Sequence, residues 1–174
     1  MPHSSRLVLG IDPGVTGAVA LALSNDDGGV TLMDVQDIPT AKVKVNGSVK
    51  SHLLLTELAQ LLRNLSESPF GLSADVFIEE VHAMPGQGVT SMFRFGHAAG
   101  AIEGVCAGLG MVIHKIAPKQ WQSLARTRKD PDAGRLRAGQ LFPSLAGKFA
   151  RKLDHNRADA ALIAYAGALT LRYP

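Results

Sequence analysis

A chain of 174 residues that is 46% hydrophobic and 19% charged suits one soluble globular domain, residues 1–174. No apolar run approaches the roughly 20 residues of a membrane-spanning helix. A single cysteine, Cys106, excludes an intrachain disulfide, and the opening MPHSSRLVLG carries no secretory signal, so a cytoplasmic location is expected. The net charge of +3 is unevenly spread: residues 1–114 hold 6 Lys/Arg against 11 Asp/Glu, whereas residues 115–152 hold 10 against 2. Such a basic block suits a polyanion, although a solvated basic face would look the same.

In chain order, RLVLGID alternates so that Leu7, Leu9 and Ile11 share one strand face and Val8, Gly10 and Asp12 the other. PGVTG is a turn, Ala18 to Leu23 a second strand, NDDGG a turn, and Val30–Asp37 a third strand. Short turns between these three imply an antiparallel meander. Residues 38–49 read as loop. SHLLLTELAQLLRNLS then aligns Leu54, Leu58, Leu61, Leu62 and Leu65 on one helical stripe. A short strand covers 74–81, followed by the glycine-containing loop HAMPGQG and a helix from about Ser91 to Leu109. MVIHKIA is a strand, while PKQWQSLA and DPDAGRLRAGQLF are short helices. A last helix runs from about Asn156 to Leu171. A meander followed by alternating helices and strands predicts an α/β fold: one mixed sheet covered by helices.

Three acids stand out in this layout. Asp12 ends the first strand; as an Asp before Pro-Gly it also suits the start of a turn. Glu79 and Glu80 end a strand apolar on both faces, and only one of them should share a face with Asp12. Asp159 shares a helical face with Leu162, Ile163 and Ala166, which aims it at the sheet; with Asn156 as N-cap it would also serve the helix terminus. His155 precedes it by four residues. Two strand-end acids and one sheet-facing helical acid suit divalent cations, which take oxygen ligands and, in pairs, support phosphodiester cleavage. A basic flank would hold the polyanion.

The series GIDPGVTGAVAL, FIEEV, PKQW, KDPDAGRLRAGQLFP and DHNRADAALIA, in this order from about Leu7 to Ala166, resembles the RuvC family of Holliday-junction resolvases, its phage and organellar branches in particular. The resemblance implies a ribonuclease H-like fold with a five-stranded mixed sheet whose first three strands are antiparallel. It also implies a homodimer that nicks opposed strands of a four-way DNA junction, with two Mg²⁺ ions per site and Mn²⁺ able to substitute. The family's catalytic and metal-binding acids fall on Asp12, Glu79 and Asp159. Its fourth position, often Asp, is Asn156 here; His155 is assigned that role, as metal neighbour or general base, with Asp154 in reserve.

A second departure puts His82 where the family often has an aromatic that stacks on bases; His82 or Phe93 is the candidate here, core packing being the other reading for Phe93. Gly96, Gly100, Gly104 and Gly108 recur every four residues along one helix and mark either close packing on the sheet or the dimer contact that the resemblance implies. Lys119, Arg126, Arg128 and Lys129 suit backbone phosphates, and Trp121 reads as a core anchor. The GIDPGVTG loop also resembles the phosphate turn of actin-like ATPases, but those need two such domains; neither a nucleotide cofactor nor a membrane partner is expected. A ribonuclease acting on RNA–DNA hybrids and a non-catalytic junction-binding protein are the other readings.

Overall fold

The computed structural model describes residues 5–45, 47–67, 74–83, 86, 88–128 and 130–172. Its centre is a five-stranded sheet in the order β3-β2-β1-β6-β7. Strands β1 (Arg6–Asp12), β2 (Ala18–Ser24) and β3 (Val30–Asp37) form the expected antiparallel meander. Strands β6 (Ala74–Glu79) and β7 (Val112–Ile116) extend it in parallel. β1 is central and covered on both faces, which explains its nearly unbroken apolar run.

Two apolar layers lie on either side. Leu7, Leu9, Ile11, Val76 and Ile78 face α1 (Leu55–Ser66) and α2 (Val89–Gly108), which contribute Leu58, Leu62, Ile102 and Cys106. Val8, Ala20 and Phe77 face α5 (His155–Arg172), joined by Trp121 of α3 (Pro118–Leu124) and Ala138 of α4 (Pro131–Leu141). Helix α5 is rich in alanine, and small side chains let it lie close on the sheet. Gly10 marks the nearest approach: a Cβ there would stand 2.3 Å from the backbone O of Ala160 and N of Ala164.

Two expectations need correction, and one open choice is decided. Residues 38–49 are no loop: β4 (Thr40–Val45) and β5 (Ser48–Leu53) pair as a separate antiparallel ribbon. The ribbon also takes Ser51–Leu53 from the expected helix, which starts at Leu55. Its alternation of lysine with valine was the overlooked signal. The four-residue glycine repeat on α2 is not packed on the sheet; Gly96, Gly100, Gly104 and Gly108 are exposed, with nothing within 4 Å of an added Cβ. Finally, Asn156 is not a cap, since α5 begins at His155; its amide instead donates to the carbonyl of Thr16. Among the described residues no helix is long and apolar enough to cross a membrane.

Candidate active site

Strand register sets two of the acids. β1 and β6 are parallel with Ile11 opposite Ile78, so Asp12 and Glu79 are the next residues along and share the sheet face covered by α5. Of the two glutamates it is therefore Glu79 that shares a face with Asp12. The turn beyond Asp12 is tight: Gly17 N–H donates to the Gly14 carbonyl, and a Cβ on Gly17 would lie 2.0 Å from the Asp12 carbonyl oxygen. Asn156, reaching Thr16 in this same turn, fastens the start of α5 to it. Asp159 follows one turn later. Helix α4 comes up to it at the buried Gly134, where a Cβ would stand 3.3 Å from Asp159 Oδ1.

The electrostatics link all three. Enclosure by the fold raises the Asp12 carboxyl well above its ordinary value, and the charges of Asp159 and Glu79 raise it further. Asp159 is pushed up to about 6 by burial first and Glu79 second, with His155 acting in the opposite direction. Burial also raises Glu79, although Trp121 counters this by donating its indole N–H to Glu79 Oε2 at 2.6 Å. None of the three forms an ion pair with Lys or Arg among the described residues. Like charges are thus brought together with no Lys or Arg among the described residues to answer them, an arrangement that pairing normally relieves. Among the described residues no three His, Cys, Asp or Glu side chains already close on one point as metal ligands do. The donor set, all carboxylate oxygen, is nevertheless of the hard type that Mg²⁺ or Mn²⁺ takes, and its unanswered charge fits such an ion.

The remaining candidates divide. His155 is the first residue of α5 and half-buried, with Nδ1 3.2 Å from the Lys152 carbonyl. Asp154, held in reserve for the fourth role, is already engaged: buried, it accepts from the Arg151 backbone and guanidinium and has Arg157 at 3.7 Å, and these hold its carboxyl below the usual range. His82 is exposed beside Glu80, 3.6 Å away. Phe93 is 73% exposed, which removes it from the core, and its ring stacks loosely on His97.

In the basic block, Arg135, Arg137 and Arg151 spend their hydrogen bonds inside the fold. Lys119 and Arg128 are exposed. Arg126, also exposed, lines a shallow cavity with Leu169 and Thr170, about 15 Å along α5 from Asp159. Lys129 lies outside the described residues.

Trp121 has a contact that sequence reasoning missed. It is the expected core anchor, yet it also orients Glu79. Trp121→Phe keeps the packing and removes the donor. If Glu79 is a metal ligand, Mg²⁺ affinity, read by titration calorimetry, should fall about 10–100-fold, the usual cost of losing a partner that orients a ligand.

No model of a protein family matches the chain, and neither does any curated protein sequence. Solved structures do. RuvC of Thermus thermophilus, in complex with a Holliday-junction substrate, is matched over 95% of this chain and 95% of its own, at 20% identity and a TM-score of 0.63. A second structure of Thermus thermophilus RuvC is matched over the same shares at 20% identity and a TM-score of 0.59. The chain has the fold of RuvC. Within this RuvC-like, ribonuclease H-like architecture the meander, the parallel strands β6 and β7 and the closing helix α5 account for the order of motifs along the sequence.

Proposed function

We propose that the protein is a metal-dependent endodeoxyribonuclease that resolves four-way DNA junctions by paired nicks. The observation that carries this reading is the gathering of Asp12, Glu79 and Asp159, without a Lys or Arg partner among the described residues, at the ends of two neighbouring strands and the start of α5. The RuvC-like fold, seen elsewhere with a Holliday junction bound, gives those acids a substrate class. Asp12, Glu79 and Asp159 would hold the metal, two Mg²⁺ ions with Mn²⁺ able to replace them. Bound there, divalent cations supply positive charge against the scissile phosphate and acidify the attacking water. His155, four residues ahead of Asp159, accepts the proton which that water gives up. Lys119 and Arg128 hold backbone phosphates; Arg126, displaced along α5, serves a more distant part of the DNA arm.

Two sites acting on one junction call for a two-fold homodimer, and the exposed glycine stripe of α2 is its contact. Space around Gly100 is open within one chain. Gly100→Ala should therefore stabilise the isolated chain by roughly 1 kcal/mol through helix propensity. If another backbone packs on the stripe, the same change should weaken assembly in sedimentation velocity.

The function is tested with a labelled mobile four-way junction, linear duplex and an RNA–DNA hybrid, each with Mg²⁺ and with EDTA. Paired, ligatable nicks confined to the junction and dependent on Mg²⁺ are expected. Cleavage of the hybrid alone would move the function to RNA removal. Junction binding without any cut under Mg²⁺ or Mn²⁺ would leave a binding protein.

A further inference from the structure

The β4–β5 ribbon has no part in the catalytic reading, yet it leaves the central sheet at the end where the acids lie. Asp12 is paired with Ala18, and Ala18 with Asp37, the last residue of β3. β3 therefore ends two strand spacings from Asp12, about 10 Å away. Backbone hydrogen bonds fix the ribbon's root there. Ile38 N–H donates to the Gly17 carbonyl in the turn after Asp12, and Leu54 N–H donates to the Pro39 carbonyl. On the other edge of the sheet, β7 ends at this same end and leads into α3 with Lys119. Asp12 and Glu79 thus lie between the ribbon on one edge and Lys119 on the other.

The ribbon's charge runs against its surroundings. Residues 1–114 hold 6 Lys/Arg against 11 Asp/Glu, but residues 38–56 hold three lysines and no acid. Directly opposed residues share a ribbon face. Lys42 and Lys44 stand with Ser51 and Val49 on one face, and Lys50 stands with Val43 on the other. Lys42 and Lys44 are exposed and Lys50 is half-buried; none of them has an ion-pair partner among the described residues. Val43 is 43% and Val49 64% exposed, so each face also leaves a valine in solvent. Ser51, His52 and Leu53, at the ribbon's base, wall a cavity against α2, but none of the three lysines does.

Lysines on unpaired strands also keep sheets from joining edge to edge. Edge protection asks for charge, however, and not for one sign of it. A phosphate backbone asks for cations alone, and shape agrees. Six residue pairs make a ribbon about 17 Å long, and the major groove of B-DNA, about 12 Å wide, admits a two-stranded ribbon. We infer that the β4–β5 ribbon grips a duplex arm of the DNA, lying in its major groove with Lys42, Lys44 and Lys50 on the phosphates along the groove walls. The inference rests on the nuclease reading for its choice of partner and deepens it by naming the element that holds the arm beside the cut. Contacts to phosphates position the DNA without reading its sequence. With Lys119 on the far edge of the sheet, the duplex is held on both sides of the acids.

The test is binding of a fluorescein-labelled four-way junction, a linear duplex and oligo(dT), in EDTA across a salt series, followed by fluorescence anisotropy. The triple variant Lys42→Ala/Lys44→Ala/Lys50→Ala should lower the slope of log affinity against log salt by about 2.7 on junction and duplex, at 0.9 per phosphate contact. Its slope on oligo(dT) should stay that of wild type. Lys44→Ala alone, at an exposed position, should lower the duplex slope by about 0.9 with an unchanged melting temperature, so the test stands even where the triple variant fails to fold. Replacing all three lysines by arginine should restore the wild-type slope. Arg63→Ala, an exposed cation on α1, is the charge control and should bind as wild type.

Unchanged duplex slopes in the lysine variants, or an equal loss in the control, would overturn the inference. A loss confined to oligo(dT) would overturn it too, giving the ribbon to an unpaired strand. So would variants that keep their slopes but aggregate in light scattering, as edge protectors should, or lose self-association in sedimentation, as a dimer arm should. Because no metal is present, the result is separable from the cleavage assay. A protein whose ribbon variants lose duplex slope but which cuts no junction would lose the proposed function and keep the ribbon's grip. One that cuts while its ribbon variants bind as wild type would do the opposite.

Discussion

Asp12→Asn should abolish junction cleavage and, in the same protein, raise the melting temperature without metal. The first effect follows from its place beside Glu79 and Asp159. Removing one preorganised electrostatic contributor from a buried site costs about 10²–10³-fold in rate, and a carboxylate that holds the metal should cost at least that. The second effect follows from the charge ledger of the cluster. Without cations, Asp12 is opposed by burial, by Asp159 and by Glu79, and no Lys or Arg among the described residues relieves it. An isosteric amide removes the charge and keeps the shape. Each kcal/mol of relief should raise the melting temperature about 2–4 °C in a chain of this size.

The pH dependence has a definite sign. Asp159 is raised in the folded state to about 6, above its unfolded value of about 3.9. Between those values the folded state holds the extra proton, so stability is fully present below about pH 4 and declines as pH rises through about 6. Divalent cations should reverse that decline in wild type, and less so in Asp12→Asn. Melting curves at pH 4.5 and 7.5, with EDTA and with Mg²⁺, read all of this. A variant that melts lower at pH 7.5 in EDTA would show that Asp12 is a structural turn residue.

Gly10→Ala should destabilise the fold strongly through a single added methyl. Its Cβ would meet the Ala160 carbonyl oxygen and the Ala164 nitrogen at 2.3 Å. Both are backbone atoms, so no side chain can swing away and α5 itself must lift. Overpacking usually costs 1–3 kcal/mol, and here about 3 kcal/mol or more is expected. That corresponds to a drop of about 6–12 °C in melting temperature. Gly167 offers an instructive comparison: its Cβ would meet the Phe77 ring at 2.5 Å, but a ring can turn. Because α5 also carries Asp159, the folded fraction of Gly10→Ala should cut more slowly than wild type. Circular dichroism melts alongside rates normalised to folded protein separate the two effects.

The parts of this molecule that could be read from the sequence share a physical cause. The meander showed itself because its strands are apolar and its turns are short and rich in Gly, Asp and Asn. Asp12 and Glu79 showed themselves as charges closing apolar strands, although Asp12 before Pro-Gly also suited the start of a turn. The β4–β5 ribbon was missed because TAKVKV and SVKSHL lie mostly in solvent and bury too little to show as strands. Long-range contacts were equally hidden. Nothing near Trp121 announces a bond to Glu79, 42 residues away; Arg151 and Arg157 stand three residues to either side of Asp154, but the burial that makes their pairing with it matter depends on the fold. The glycine repeat was visible, but whether it faced the sheet or solvent depended on which side of α2 carried Ile102 and Cys106.

The order in which the site is built has a consequence for the growing chain. Asp12 belongs to the first strand, Glu79 to the sixth and Asp159 to the last helix. Translation at about 5–20 residues per second puts roughly 4–16 s between Glu79 and Asp159. Until α5 is released, the sheet face around Gly10 has no cover and the acid cluster lacks its third member. If the proposed function holds, a ribosome-bound fragment without α5 would be unable to nick DNA, and activity would appear only with the helix that completes the core. Folding itself would then act as the safety catch.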